Sequence, residues 1–149
     1  MKIISRSAKQ TIKIGEQLGR HLKRGDCLGL IGSLGSGKTT LVKGIACGLK
    51  VKEKEAVSSP TFVLIKEYNG KIPLFHFDLY RLDNLQDIEY LGLEEYLYNH
   101  GVCVIEWAEK MKMLFPDYLQ IDLRVLGENK RELKLTAQNP RYKELLKKL

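Results

Sequence analysis

The stretch LIGSLGSGKTT, Leu30 to Thr40, decides the fold. Gly32, four residues, Gly37, Lys38 and Thr39 make the G-x-x-x-x-G-K-T pattern of a phosphate-binding loop. That pattern needs a strand before it and a helix after it. CLGLIG, from Cys27, is an apolar run that fits a buried strand, and TTLVKGIACGL, from Thr39, fits a helix. A glycine-rich turn with a chance lysine would not bring that setting with it.

Nucleotide phosphates are anions, so such a loop must offer positive potential without bulk. Glycines let the backbone N–H groups of Leu34, Gly35, Ser36, Gly37, Lys38 and Thr39 approach the phosphates. The following helix adds the positive end of its dipole. Lys38 is expected to reach the β- and γ-phosphates, and the Thr39 hydroxyl to ligate Mg²⁺. Thr40, in the same first turn, belongs to the same expected contact set.

A phosphate-loop hydrolase also needs an acid at the end of a buried strand, to hold Mg²⁺ or the attacking water. Two are present: Asp78 ends LFHFD and Glu106 ends VCVIE. The strings alone do not divide the roles. VCVI is the more continuous apolar run, as expected of a central strand beside the loop. That places Glu106 on the metal and leaves Asp78 to position water or sense the γ-phosphate. His76 shares the strand face of Asp78, but no third ligand lies nearby, so it reads as packing or supporting an acid rather than binding a metal. Trp107 either belongs to the core or lies over the nucleotide site, and its place after Glu106 favours the second. Ser58-Ser59-Pro60-Thr61 follows the loop helix, where a switch loop often meets Mg²⁺ or the γ-phosphate; a plain polar turn is the other reading.

The rest of the chain supplies scaffold. Ile12, Ile14, Leu18 and Leu22 fall on one helical face, with Ser7 as N-cap and Gly25 closing the segment. FVLIKEY and KIPLFHFD are strand-like around Asn69-Gly70, a hairpin signal. LYRLDNLQDIEYLGLEEYLYN reads as helix interrupted near Gly92. YLQIDLRVL and RELKLTA form a second hairpin around GENK, and RYKELLKKL reads as a terminal amphipathic helix with a solvated basic face. This predicts an α/β P-loop NTPase fold in a single domain over residues 1–149, with a mixed parallel and antiparallel sheet flanked by helices.

Composition sets the outer bounds. At 149 residues one domain can bury a core, and no apolar run approaches a membrane span. MKIISRSAKQT lacks the apolar stretch of a secretory signal, which predicts a cytoplasmic chain. Cys27, Cys47 and Cys103 have apolar neighbours and no C-x-x-C spacing, so buried reduced thiols are expected. The net charge of +7 admits tRNA, an acidic partner or neither.

Three other classes share this loop with ATPases. A GTPase needs N-K-x-D after a strand; Asn129-Lys130-Arg131-Glu132 sits in a hairpin turn and ends in Glu, and Asp78 is followed by Leu79-Tyr80-Arg81 rather than x-x-G. That disfavours guanine. A small-molecule kinase needs an arginine-bearing lid, and AEKMKMLFPD is short for one. A nucleotide-dependent binding module with negligible catalysis is the third class.

GSLGSGKTT, SSPTF, HFDLYRL, the LGLEEYL segment and VIEWAE together resemble the bacterial TsaE (YjeE) family, in the same order and over essentially the whole chain. The resemblance implies an ATPase of tRNA threonylcarbamoyladenosine formation. That modification falls on the adenosine beside the anticodon, position 37, of tRNAs reading ANN codons. It implies ATP or ADP and Mg²⁺ as ligands, the TsaB–TsaD pair as partners, and tRNA as an indirect one, with direct contact left open. It also implies that Lys38 and Thr39 bind phosphate and metal, that Glu106 is the metal partner and Asp78 the hydrolytic acid. Thr61 and Trp107 would lie near the nucleotide, and Thr11, at the start of the first helix, would touch it.

Overall fold

The computed structural model describes residues 1–53, 56–97, 100–111 and 117–149. Its elements run β1 (Lys2–Ser5), α1 (Ala8–His21), β2 (Cys27–Ile31), α2 (Lys38–Gly48), β3 (Ile65–Tyr68), β4 (Leu74–Asp78), α3 (Leu85–Tyr90), α4 (Leu93–Tyr96), β5 (Val102–Glu106), β6 (Leu119–Val125), β7 (Arg131–Thr136) and α5 (Pro140–Leu146). A 3₁₀ turn, Ala108–Met111, follows β5.

Among the described residues the strands form one seven-stranded sheet in the order β1-β7-β6-β2-β5-β4-β3. β6, β2, β5 and β4 are parallel neighbours, while β1–β7, β7–β6 and β3–β4 are antiparallel. The expected mixed sheet is therefore present. β2 sits between β5 and β6, so the strand carrying Glu106 lies directly beside the strand that feeds the loop.

Side chains alternate across this sheet and build two cores. On one face, Leu28, Leu30, Val104 and Ile121 pack with Leu18, Leu41, Ile45 and Leu145 from α1, α2 and α5. On the other, Phe75, Phe77, Cys103 and Ile105 pack with Ile88, Leu93 and Leu97 around α3 and α4. Val104 and Glu106 share a face, as do His76 and Asp78. The periodicity thus aims all three polar side chains at the α2 face.

α1 begins as expected: the Ser7 hydroxyl accepts from the Gln10 N–H at 3.1 Å. Its packing was not foreseen. Gly15 and Gly19 face Gly44 and Gly48 of α2, and a Cβ on any of the four would strike backbone of the opposite helix. Small residues four apart on both helices bring the two axes close and hold α2 against the sheet.

Two expectations need correction. FVLIKEY is a strand only from Ile65. Phe62 is 85% exposed, Leu64 has φ of 67°, and the Leu64 N–H turns back to the Pro60 carbonyl at 2.6 Å, so residues 61–64 form a turn. The helix expected from Leu79 starts at Leu85, because the Asn84 side chain caps it there by accepting from the Asp87 N–H. Leu79 is instead buried beneath the sheet and bonds the Glu106 carbonyl. β1 lay unread in the N-terminal KIIS. α5 is an amphipathic terminal helix as expected, burying Tyr142 and Leu145, and it is tied in further: Arg141 donates to both oxygens of Asp26, and the Cys27 N–H donates to the Tyr142 hydroxyl at 2.8 Å.

Tyr98 and Asn99, and residues 112–116 of AEKMKMLFPD, lie outside the described residues. Cys27 and Cys103 are buried free thiols, whereas Cys47 is only half-buried. Among the described residues no helix is long and apolar enough to cross a membrane.

Candidate functional site

β2 ends at Ile31, the loop turns through Gly32 to Gly37, and α2 starts at Lys38. Gly37 takes φ of 104°, a left-handed conformation that side chains rarely adopt. It caps α2 with no side-chain hydrogen bond and no acid in the first turn. The amide-rich, electropositive end of the helix is therefore left to the loop.

Lys38 curls back over the loop. Its Nζ donates to the Gly32 carbonyl at 2.7 Å and the Ser33 carbonyl at 3.0 Å. It also lies 4.2 Å from the centre of the Trp107 ring. Burial lowers this ammonium from the ordinary lysine value, and the carboxylates of Glu106, Glu109 and Asp78 oppose that shift. Trp107 holds φ of 62°, and its ring packs against Tyr80 at 4.9 Å between centroids. The left-handed turn after Glu106 swings the indole out of the strand and into the cleft wall.

The two acids come together as neighbours: Asp78 and Glu106 are register partners on β4 and β5. Both are buried. Glu106 Oε1 receives the Thr39 hydroxyl at 2.9 Å and His76 Nε2 at 2.8 Å. Asp78 Oδ2 receives the Ser59 hydroxyl at 2.5 Å and the Thr61 hydroxyl at 2.8 Å, and its Oδ1 receives the Tyr80 N–H at 2.8 Å. One acid therefore grips the start of α2, and the other grips the SSPT segment.

Leu34, Gly35, Gly37, Lys38, Thr39, Thr40, Ser59, Thr61, Asp78, Glu106 and Trp107 line one cleft of about 370 Å³. Ser36 is buried under the loop rather than in that wall. Thr11 lies on the opposite flank of the loop. Its hydroxyl pairs with Ser5 Oγ at 2.7 Å and lines a smaller cavity, about 120 Å³, with Gly35, Gly37, Thr40, Asn129 and Arg131. The loop thus separates two cavities, and Gly35, Gly37 and Thr40 wall both.

Ser59, Tyr80 and Arg131 were not singled out for this site from the sequence. Ser59 lies in a segment that was. Arg131 was legible only as part of a turn, yet its guanidinium donates to the Ser36 carbonyl at 3.1 Å and to the Gly127 and Glu128 carbonyls, tying the loop to the β6–β7 turn. An arginine ninety-five residues from its partner carries no local signal.

The family model described as threonylcarbamoyl adenosine biosynthesis protein TsaE matches residues 5–133. The chain belongs to the TsaE family. It is 44% identical over 134 residues to the tRNA threonylcarbamoyladenosine biosynthesis protein TsaE of Treponema pallidum, spanning 89% of this chain and 98% of that one. To the Bacillus subtilis TsaE it is 43% identical over 143 residues, covering 95% and 88%. The crystal structure of Bacillus subtilis YdiB superposes with a TM-score of 0.81 at 37% identity, covering 99% of this chain and 91% of that one. The α/β fold of this TsaE-family chain and its place in tRNA threonylcarbamoyladenosine biosynthesis follow from these likenesses.

Proposed function

We propose that this TsaE-family chain is a Mg²⁺-dependent ATPase that serves threonylcarbamoyl transfer to adenosine 37 of tRNAs reading ANN codons. It acts as the nucleotide-driven partner of the TsaB–TsaD pair, in the cytoplasm, where tRNA is modified. The observation that carries this reading is the Thr39–Glu106 contact at 2.9 Å beside the phosphate loop, with Asp78 in register next to Glu106.

The donor set suits the metal. Mg²⁺ takes hard oxygen ligands, keeps several waters and uses one or two protein groups together with substrate phosphates. The Thr39 hydroxyl and the Glu106 carboxylate are such groups, and they meet at the mouth of the loop. Bound there, the ion would neutralise phosphate charge. Lys38 would exchange its two carbonyl acceptors for phosphate oxygens. The smaller cavity, between Thr11 and Asn129, is the place for the base, since the loop lies between it and the acids.

Asp78 is held by the hydroxyls of Ser59 and Thr61, so it is suited to linking the phosphate site to the SSPT segment. A change at the phosphate is then read as a movement of residues 58–64, whose Phe62 and Val63 are exposed.

Following ATP labelled at the γ-phosphate, with and without the TsaB–TsaD pair, tests the proposal. Label released as inorganic phosphate, faster with the pair, is expected. Label moved to a small-molecule acceptor would make the chain a kinase. Equal release with and without the pair would remove the partner from the scheme.

A further inference from the structure

His76 is completely buried. Its Nε2 lies 2.8 Å from Glu106 Oε1, and among the described residues its Nδ1 has no hydrogen-bond partner. Burying an imidazole with one nitrogen unsatisfied is costly, and a leucine or phenylalanine would fill the same space without that cost. The ring's directed contact with Glu106 is therefore its reason for being there. An ionised carboxylate only accepts, so the proton of that contact sits on Nε2.

The contact is specific in its consequence. Oε1 already takes the Thr39 hydroxyl, so two donors from two different elements converge on one oxygen. β4 supplies one and α2 the other. Together they fix the carboxylate's rotation and leave Oε2 clear of them. The Thr39 proton points at Oε1, which keeps the hydroxyl's lone pairs available.

We infer that His76 is a positioning residue for the metal-binding pair: its Nε2–H holds Glu106 in the one orientation that presents Oε2 and the Thr39 hydroxyl together to a divalent cation. The inference rests on the reading of Thr39 and Glu106 as that pair. Groups that orient a metal ligand typically change metal affinity by roughly 10–100-fold when removed.

The test measures binding, not turnover. Mn²⁺, standing in for Mg²⁺, is titrated into the ADP-loaded protein and the free ion is read by paramagnetic resonance. ADP affinity in chelator and the melting temperature are measured alongside. His76→Leu is expected to weaken Mn²⁺ binding by roughly 10–100-fold and to leave metal-free ADP affinity unchanged. His76→Gln, whose amide nitrogen can reach the Nε2 position, is expected to restore most of it. If His76→Leu does not fold, His76→Asn, with the same amide one methylene short, makes the comparison with His76→Gln. Wild-type Mn²⁺ affinity in Glu106→Gln would overturn the metal reading itself. Weak binding in Glu106→Gln with wild-type binding in His76→Leu would overturn only the role of His76, as would equal losses in His76→Gln and His76→Leu.

Discussion

Asp78 and Glu106 face each other across the parallel β4–β5 ladder, yet no donor among the described residues bridges them: hydroxyls of the SSPT segment hold one, Thr39 and His76 the other. Separate partners imply separable effects. Glu106→Ala should weaken Mg²⁺-dependent hydrolysis more than ADP binding, and Asp78→Asn should slow turnover while leaving Mn²⁺ binding near wild type. Kinetics beside metal titration checks both, and equal losses of hydrolysis and ADP binding in Glu106→Ala would make that residue structural.

Lys38 gives the site a pH dependence whose sign is fixed. Burial lowers its ammonium from the ordinary lysine value. Phosphate affinity is full while that group is charged and falls as pH rises through its value in the free protein. ADP affinity should therefore decline on the alkaline side before a free lysine would titrate, and Lys38→Ala should lose roughly 10–100-fold in affinity, the scale of a charge-assisted hydrogen bond. Calorimetry across alkaline pH checks it; a profile flat up to the free-lysine range would refute the assignment.

The SSPT segment is held to the sheet by two hydroxyls on one carboxylate oxygen. Ser59→Ala with Thr61→Val should loosen residues 58–64 by about 1 kcal/mol. Amide exchange should quicken several-fold there and nowhere else. Unchanged exchange would mean that packing, not Asp78, holds the segment.

The α1–α2 contact predicts a severe penalty for a single methyl group. Gly44→Ala would press Cβ against the Ile12 carbonyl and the Gly15 backbone, neither of which is a flexible side-chain end. A loss of about 1–3 kcal/mol or more is expected, read as a fall in melting temperature. Gly127→Ala, in the open β6–β7 turn, meets nothing nearer than 3.8 Å and should melt near wild type.

The cysteines should react in a set order. Burial pushes the Cys103 thiol up to about 12 and raises Cys27 as well, with Cys103 beside it adding to the shift. At pH 8 the Cys103 thiolate is on the order of one part in ten thousand, and the thiolate is the reactive form. Half-buried Cys47 should take a thiol reagent first in the native protein, with Cys27 and Cys103 following only on unfolding. Mass spectrometry of labelled peptides checks the order.

What the sequence revealed was local. The phosphate loop announces itself within eleven residues, and VCVIE declares a central strand by its unbroken apolar run. Asn69-Gly70 and GENK mark their hairpins, and both are present. Long-range facts were less visible. The His76–Glu106 contact spans thirty residues, and the Arg131–Ser36 contact ninety-five. Which residues of FVLIKEY are strand was decided by a backbone reversal at Leu64, which β propensity does not report. The helix glycines give no signal in an apolar pattern, because periodicity scores hydrophobicity and not the room between two axes.

Those glycines have a consequence for anyone screening variants of this chain. A library scored only for loss of function would place Gly15, Gly19, Gly44 and Gly48 beside Lys38 and Glu106, and a map drawn from such hits would stretch the apparent site along the whole length of α2. Sorting the hits by abundance of folded protein would divide them again: substitutions at the four glycines deplete the protein, whereas substitutions at the loop lysine deplete only what it binds.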